Sequence, residues 1–158
     1  MQEVYYQVSD SDLPQIHVEI QKAEALLGDK LVVKIPPTAT GFDLAAEIAA
    51  THKTCITAIF SPAQALVARE AGATYIAVYV NRATRWMGDG LGLTRAIADV
   101  LAGSQTAVLA ASLKSVDEVV AAVNAGAQHL TLPYDILNAL IESEHSAKAV
   151  ADFTETGA

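Results

Sequence analysis

The feature that most constrains this chain is a rhythm. Short β-branched, apolar runs alternate with longer alanine- and leucine-rich stretches, six times in succession. The strand-like runs cover residues 4–8, 31–35, 53–60, 74–80, 106–111 and 128–132. Most are apolar at consecutive positions, as strands buried on both faces are. Helix-length segments separate them, too long for hairpins and suited to the crossovers that join parallel strands. The punctuation agrees. Residues 9–12 (Ser-Asp-Ser-Asp) offer caps for a helix over 13–27, which Gly28-Asp29 stops. Pro36-Pro37 ends the second strand, and a helix over 42–50 is capped near Thr40 or Gly41. Ser61-Pro62 opens the next helix, with proline at its first position. A loop is expected from Asn81 to about Gly90, then a helix ending near Gly103. Ser115 caps a helix that runs to Ala125-Gly126. A short helix lies near Leu137, and the tail over 146–153 is helical. Two similar stops, Glu70-Ala71-Gly72-Ala73 and Asn124-Ala125-Gly126-Ala127, each lead into a strand.

Periodicity alone fits two α/β architectures, an open doubly wound sheet or an incomplete barrel. The 158 residues suit one domain, and no linker or low-complexity segment divides them. Hydrophobic residues make up 52% and charged residues 18%, which excludes a disordered chain. Aromatic residues are only 6%, which favours helix–sheet layers over an aromatic-packed sandwich. A formal net charge of −8 argues against nucleic acid or an anionic membrane as partner. No apolar run reaches the eighteen or so residues of a membrane span, and the first residues carry no basic, apolar leader. The expectation is a cytoplasmic protein. One cysteine, Cys55, leaves neither a disulfide framework nor a cysteine zinc site, and it reads as a small core residue. His17, His52, His129 and His145 show no metal-ligand spacing and read as solvated or core side chains. No metal or organic cofactor is expected.

Parallel α/β folds place their sites at the carboxyl ends of the strands. The polar residues there are Gln7, Lys34, Thr57, Tyr79 with Asn81 and Arg82, Ser112 with Lys114, and Thr131. Lys34 interrupts the run Leu31-Val32-Val33-Lys34-Ile35. An amine desolvated in apolar surroundings favours its neutral form, which can attack a carbonyl and form a Schiff base. The same residues also fit a lysine snorkelling from a strand end. Gln7, Thr57 and Tyr79 suit the positioning of a water or a substrate hydroxyl, or simply cap strand ends. Arg82, Ser112 and Lys114 suit a phosphate, or a solvated surface. The run Gly88-Asp89-Gly90-Leu91-Gly92 matches neither phosphate-loop spacing, but a helix N-terminus there would favour an anion.

Taken together and in order, Tyr6-Gln7-Val8, Val33-Lys34-Ile35-Pro36-Pro37-Thr38-Ala39, Thr57-Ala58-Ile59-Phe60-Ser61, Tyr79-Val80-Asn81-Arg82, Ala110-Ala111-Ser112-Leu113-Lys114 and Leu130-Thr131-Leu132-Pro133 resemble the small transaldolases and fructose-6-phosphate aldolases. The resemblance covers nearly the whole chain. It implies a TIM-type (β/α) barrel that makes and breaks carbon–carbon bonds through a lysine Schiff base. By that resemblance Lys34 is the Schiff-base lysine, Gln7, Thr57 and Tyr79 hold the catalytic water, and Arg82, Ser112 and Lys114 bind substrate phosphate. Gln7 and Tyr79 favour the aldolase branch over transaldolases proper, which usually carry Glu and Phe there.

The family's first two βα units have no counterpart, and the chain starts at what corresponds to the third strand. The lost strands carry an aspartate that relays protons and an asparagine that binds substrate hydroxyls. Asp10 and Asp12 do not map onto that aspartate. The fold class expected is therefore an incomplete (β/α) barrel of about six βα units plus a C-terminal helix. Strands 4–8 and 128–132 become edges, which invite pairing. A homo-oligomer using these edges and the C-terminal helix is expected, with direct closure into a smaller barrel, or truncation from a longer product, as alternatives. Two functional classes follow. One is an aldolase or transaldolase acting on sugars or sugar phosphates. The other is a non-catalytic relative that keeps the fold and a phosphosugar pocket.

Overall fold

The computed structural model describes residues 2–9 and 12–156. Its strands are β1 (Val4–Gln7), β2 (Leu31–Ile35), β3 (Lys53–Ile59), β4 (Tyr75–Tyr79), β5 (Ala107–Ala111) and β6 (His129–Leu130). They form one parallel sheet in the order β1-β2-β3-β4-β5-β6. Helices alternate with them: α1 (Leu13–Leu27), α2 (Ala39–Ile48), α3 (Pro62–Glu70), α4 (Val80–Met87), α5 (Gly90–Leu101), α6 (Val116–Asn124), α7 (Tyr134–Ala139) and α8 (Glu144–Thr156). A sheet whose spatial order follows the sequence has no switch point, which removes the doubly wound alternative. Six curled strands make a half-barrel. Among the described residues β1 pairs only with β2 and β6 only with β5, so closure into a smaller barrel does not occur. Six strands cannot keep the tilt and shear of an eight-stranded barrel.

Strand parity divides the side chains. Leu31, Val33 and Ile35, with Ile76, Val78, Val108 and Ala110, pack against Ile16, Ile20, Leu44 and Ile97 of the helices in the main core. The opposite parity, Val32, Cys55, Tyr75, Ala77 and Leu109, forms a second, smaller cluster with Tyr5, Tyr79 and Ala107 on the concave face.

Side-chain caps set most helix starts. Asp12, Ser61 and Ser115 accept the backbone N–H of Gln15, Gln64 and Glu118 at 3.1, 3.2 and 3.1 Å. Asp10 lies outside the described residues. The cap of α2 is Thr38, not Thr40 or Gly41, and its hydroxyl accepts from Gly41 N at 3.1 Å. The expected loop from Asn81 is instead α4, which leaves β4 directly with no side-chain cap. β6 is shorter than expected because Pro133 and the turn into α7 end its ladder at Leu130. The two similar stops share one geometry. Gly72 and Gly126 both have positive φ, and the following Ala73 and Ala127 donate to Ala68 and Ala122 carbonyls at 3.0 and 3.1 Å. These are Schellman turns, repeated two strands apart.

Glu3, just before β1, ties the amino ends of the strands together. Its carboxylate accepts from Lys53 Nζ at 2.6 Å, from Tyr75 Oη at 3.1 Å and from Tyr5 Oη at 3.3 Å. Burial pushes this carboxyl's pKa up, but the bonds from Lys53 and Tyr75 and the Lys53 charge outweigh it and hold it below the ordinary value. A carboxylate lowered in the folded state stabilises the fold above its unfolded pKa of 4.5, and that contribution is lost as pH falls through the folded value. Glu3→Gln should therefore lower Tm at pH 7, and the gap from the parent should narrow as pH is taken below about 4.5. Thermal melts across that range check it.

Gly90 opens α5 where it crosses α4. A Cβ there would stand 2.0 Å from the Val80 carbonyl oxygen and 2.6 Å from Thr84 Oγ1. Gly90→Ala should cost about 1–3 kcal/mol, the usual scale for overpacking against a fixed backbone, read by urea denaturation.

Candidate active site

Lys34 and Thr57 share the concave parity with Val32 and Cys55, and Tyr79 packs on the same cluster. Lys34 is half-buried and pairs in register with Gln7 on one side and Cys55 on the other. It lines a cavity of about 280 Å³ in the bore of the half-barrel. Ala77 and Ala111 make the room, since larger side chains at those positions would fill it. Tyr5, Leu109, His129 and Thr131 complete most of the wall. The surroundings are mainly apolar, with one amine, one imidazole, a phenol and a hydroxyl facing the same space.

The predicted water-holding set assembles in part. Thr57 Oγ1 and Tyr79 Oη are 3.1 Å apart and share a hydrogen bond. Gln7 does not join them; its Nε2 donates to its neighbour's carbonyl, Val8 O, at 3.4 Å. Thr57 owes its placement to an irregularity in β3. The β3–β4 register shifts between Ile56 and Ile59, and Ala58 sits at φ +56°. This is a β-bulge, the device that re-aims a side chain at a barrel rim. A left-handed alanine costs about 1 kcal/mol.

The phosphate candidates occupy adjoining strand ends, because Tyr79 pairs in register with Ala111. Arg82 stands on the first turn of α4, its guanidinium 4.6 Å from the Tyr79 ring centroid and 5.6 Å from that of Trp86. Trp86 stacks on Phe60 at 5.3 Å, and Phe60 meets Tyr79 edge-on at 6.1 Å. Ser112 has φ +61° at the end of β5, and Lys114 is exposed. Glu118 links this rim: one carboxylate oxygen accepts from Asn81 Nδ2 at 2.6 Å and the other from Lys114 N at 2.7 Å. Sequence reading missed Glu118. The signal was the spacing Ser115-x-x-Glu118, the capping-box pattern.

The glycine-rich run does not form an anion site. Asp89 caps α5, its carboxylate accepting Gly92 N at 2.7 Å, so a negative charge already occupies that helix end. Cys55 is fully buried, and burial pushes its thiol up to about 12 while the Lys34 charge pulls it down. It stays a neutral core side chain. Among the described residues no group of three or more His, Cys, Asp or Glu is placed to hold a metal ion. Nor is any helix long and apolar enough to cross a membrane.

Comparison with known proteins agrees with this fold. The family model described as Transaldolase/Fructose-6-phosphate aldolase matches residues 2–157. A probable transaldolase of Hydrogenobaculum sp. (strain Y04AAS1) is 40% identical over 120 residues, covering 73% of this chain and 55% of that protein. A probable transaldolase of Kosmotoga olearia is 33% identical over 132 residues, covering 82% of this chain and 61% of that protein. This chain thus spans little more than half the length of such relatives. Among solved structures, a mandelate oxidase superposes with a TM-score of 0.65 at 17% identity, covering 82% of this chain and 49% of that one, a likeness of fold alone. With the match running almost end to end, the chain belongs to the transaldolase/fructose-6-phosphate aldolase family.

Proposed function

We propose that the site makes or breaks carbon–carbon bonds of sugars or sugar phosphates through a Schiff base on Lys34. The observation that carries this reading is the position of Lys34 as the one amine on the wall of the concave cavity. Its Nζ attacks a ketose carbonyl to give a carbinolamine, which loses water to leave an iminium. The iminium draws in the electron pair of the C3–C4 bond as that bond breaks, and the C4 hydroxyl gives up its proton. A water held by the Thr57–Tyr79 hydroxyl pair accepts that proton, with Gln7 beside Lys34 on β1 turning towards the substrate when one binds. Arg82, Ser112 and Lys114 at the rim hold the phosphate. No cofactor takes part in this scheme. A cytoplasmic location belongs to the same reading, and the net charge of −8 supports the absence of nucleic acid and anionic membrane as partners.

A second reading keeps the phosphosugar pocket without turnover. One observation favours it: Gln7 bonds to Val8 O and stands apart from the Thr57–Tyr79 pair. Borohydride trapping separates the two. After incubation with dihydroxyacetone, and separately with fructose 6-phosphate, reduction should leave a mass adduct that peptide mapping assigns to Lys34. Lys34→Met should abolish it. A folded parent protein without adduct would favour the non-catalytic reading.

The assembly proposed is a homo-oligomer. Among the described residues β1 and β6 each have one unpaired edge, Ile141 in the turn after α7 is 85% exposed, and α8 exposes Val150 (60%) and Phe153 (58%). A second copy offers the same parallel edges and the same apolar helix faces, which suits self-association. Light scattering after size exclusion should give a multiple of the 16.6 kDa chain mass, and a clean monomer would count against it.

A further inference from the structure

Schiff-base formation has a slow point, the departure of hydroxide from the carbinolamine. That oxygen must be protonated as it leaves, and a positioned acid speeds such a step by about 10²- to 10⁴-fold. The cavity around Lys34 presents few groups able to serve. Thr131 offers only a hydroxyl. Tyr5 donates its phenol hydrogen to Glu3, and burial, with the Glu3 charge, pushes that phenol well above its ordinary value. Tyr75 is committed to Glu3 in the same way. The Thr57–Tyr79 pair lies off this wall. The remaining group is the imidazole of His129, the side chain best suited to give and take protons near neutrality.

His129 is held for the purpose. Its ring stands edge-on to Tyr75, centroids 5.2 Å apart at 83°, and Tyr75 in turn lies 5.7 Å from Tyr5. These three rings form a floor across the bore from β6 through β4 to β1. Glu3, braced by Lys53, anchors the two phenols from below. Lys34 shares the cavity from β2, and the β5 wall offers only Leu109 and Ala111. The imidazole is solvent-exposed, so water reaches it.

We propose that His129 is the proton donor for dehydration of the Lys34 carbinolamine, a role that rests on the Schiff-base reading above. The imidazolium proton passes to the carbinolamine hydroxyl. The C–O bond breaks, water leaves, and the nitrogen lone pair completes the C=N bond of the iminium. His129 is left neutral and takes a proton back from the attacking water when the Schiff base hydrolyses. Atoms and charge balance without any further reactant.

The test is the rate of adduct trapping with dihydroxyacetone and cyanoborohydride between pH 5 and 9. It is run on the parent protein, His129→Asn, His129→Ala with and without added imidazole, and Lys34→Met, each checked for folding by circular dichroism. His129→Asn should slow trapping about tenfold or more. Added imidazole should restore part of the rate in His129→Ala, which a merely structural role would not allow. A parent-like rate in His129→Asn, or slowing without imidazole rescue in His129→Ala, would overturn the role of His129 while leaving the lysine chemistry intact. Absence of adduct in the parent at every pH would overturn the Schiff-base reading and this proposal with it. Since both variants alter an exposed side chain, each is expected to fold.

Discussion

The two-residue alternation of parallel strands is the constraint on which everything else here depends. One parity meets a complete second layer, the helices, and forms the large core of Val33, Ile35, Ile76 and Val108. The other parity would meet itself across the bore of a closed barrel. Here the sheet ends at β1 and β6, so that inner packing is incomplete. What stands in its place is a small cluster around Cys55 and Ala77, a floor of rings, and a cavity. Polar side chains are tolerated on this face because it is only partly desolvated or because they pair, as Thr57 does with Tyr79.

The rim is built differently from the core. Ala58 and Ser112 both adopt positive φ, one at the bulge in β3 and the other just past β5, so they flank β4 on either side. Neither is glycine, and each carries backbone strain of about 1 kcal/mol. Strain of this kind persists where surrounding packing over-determines it, and it gathers at sites that must aim side chains. The side chains aimed here are Thr57 and the Ser112–Lys114 segment, the latter tied back to α4 through Glu118 and Asn81.

Much of this was legible in the amino-acid sequence, for local reasons. β2 and α1 match their expected bounds because Pro36-Pro37 and Gly28 punctuate unambiguously. Ser61 and Ser115 announced their helices through caps that depend on one residue and its near neighbours. α4 was illegible because it carries no capping side chain and begins on the residue after β4. Lys34 stood out because it interrupts the apolar run 31–35 near the carboxyl end of its strand, and strand parity turns it into the bore. Gln7 shared that parity yet bonds elsewhere, because parity fixes a face and not a partner. His129 was read as a solvated or core side chain because it lies near the start of its strand, away from the carboxyl end where site residues are sought. The bulge at Ala58 has no sequence mark at all, since nothing about alanine demands φ +56°. The resemblance to transaldolases supplied the barrel, which periodicity could not separate from a doubly wound sheet.

Trp86 is the only tryptophan in the chain, and it is 66% exposed. It sits between two kinds of neighbour: the Phe60 ring stacked on it at 28°, and the Arg82 guanidinium over its face. Indole emission responds to an adjacent cation and to the water around it. An anion that draws Arg82 off the aromatic rings changes both at once. The molecule thus carries an intrinsic optical reporter beside Arg82, and any anion that displaces that guanidinium can be followed by light, with no label and no turnover required.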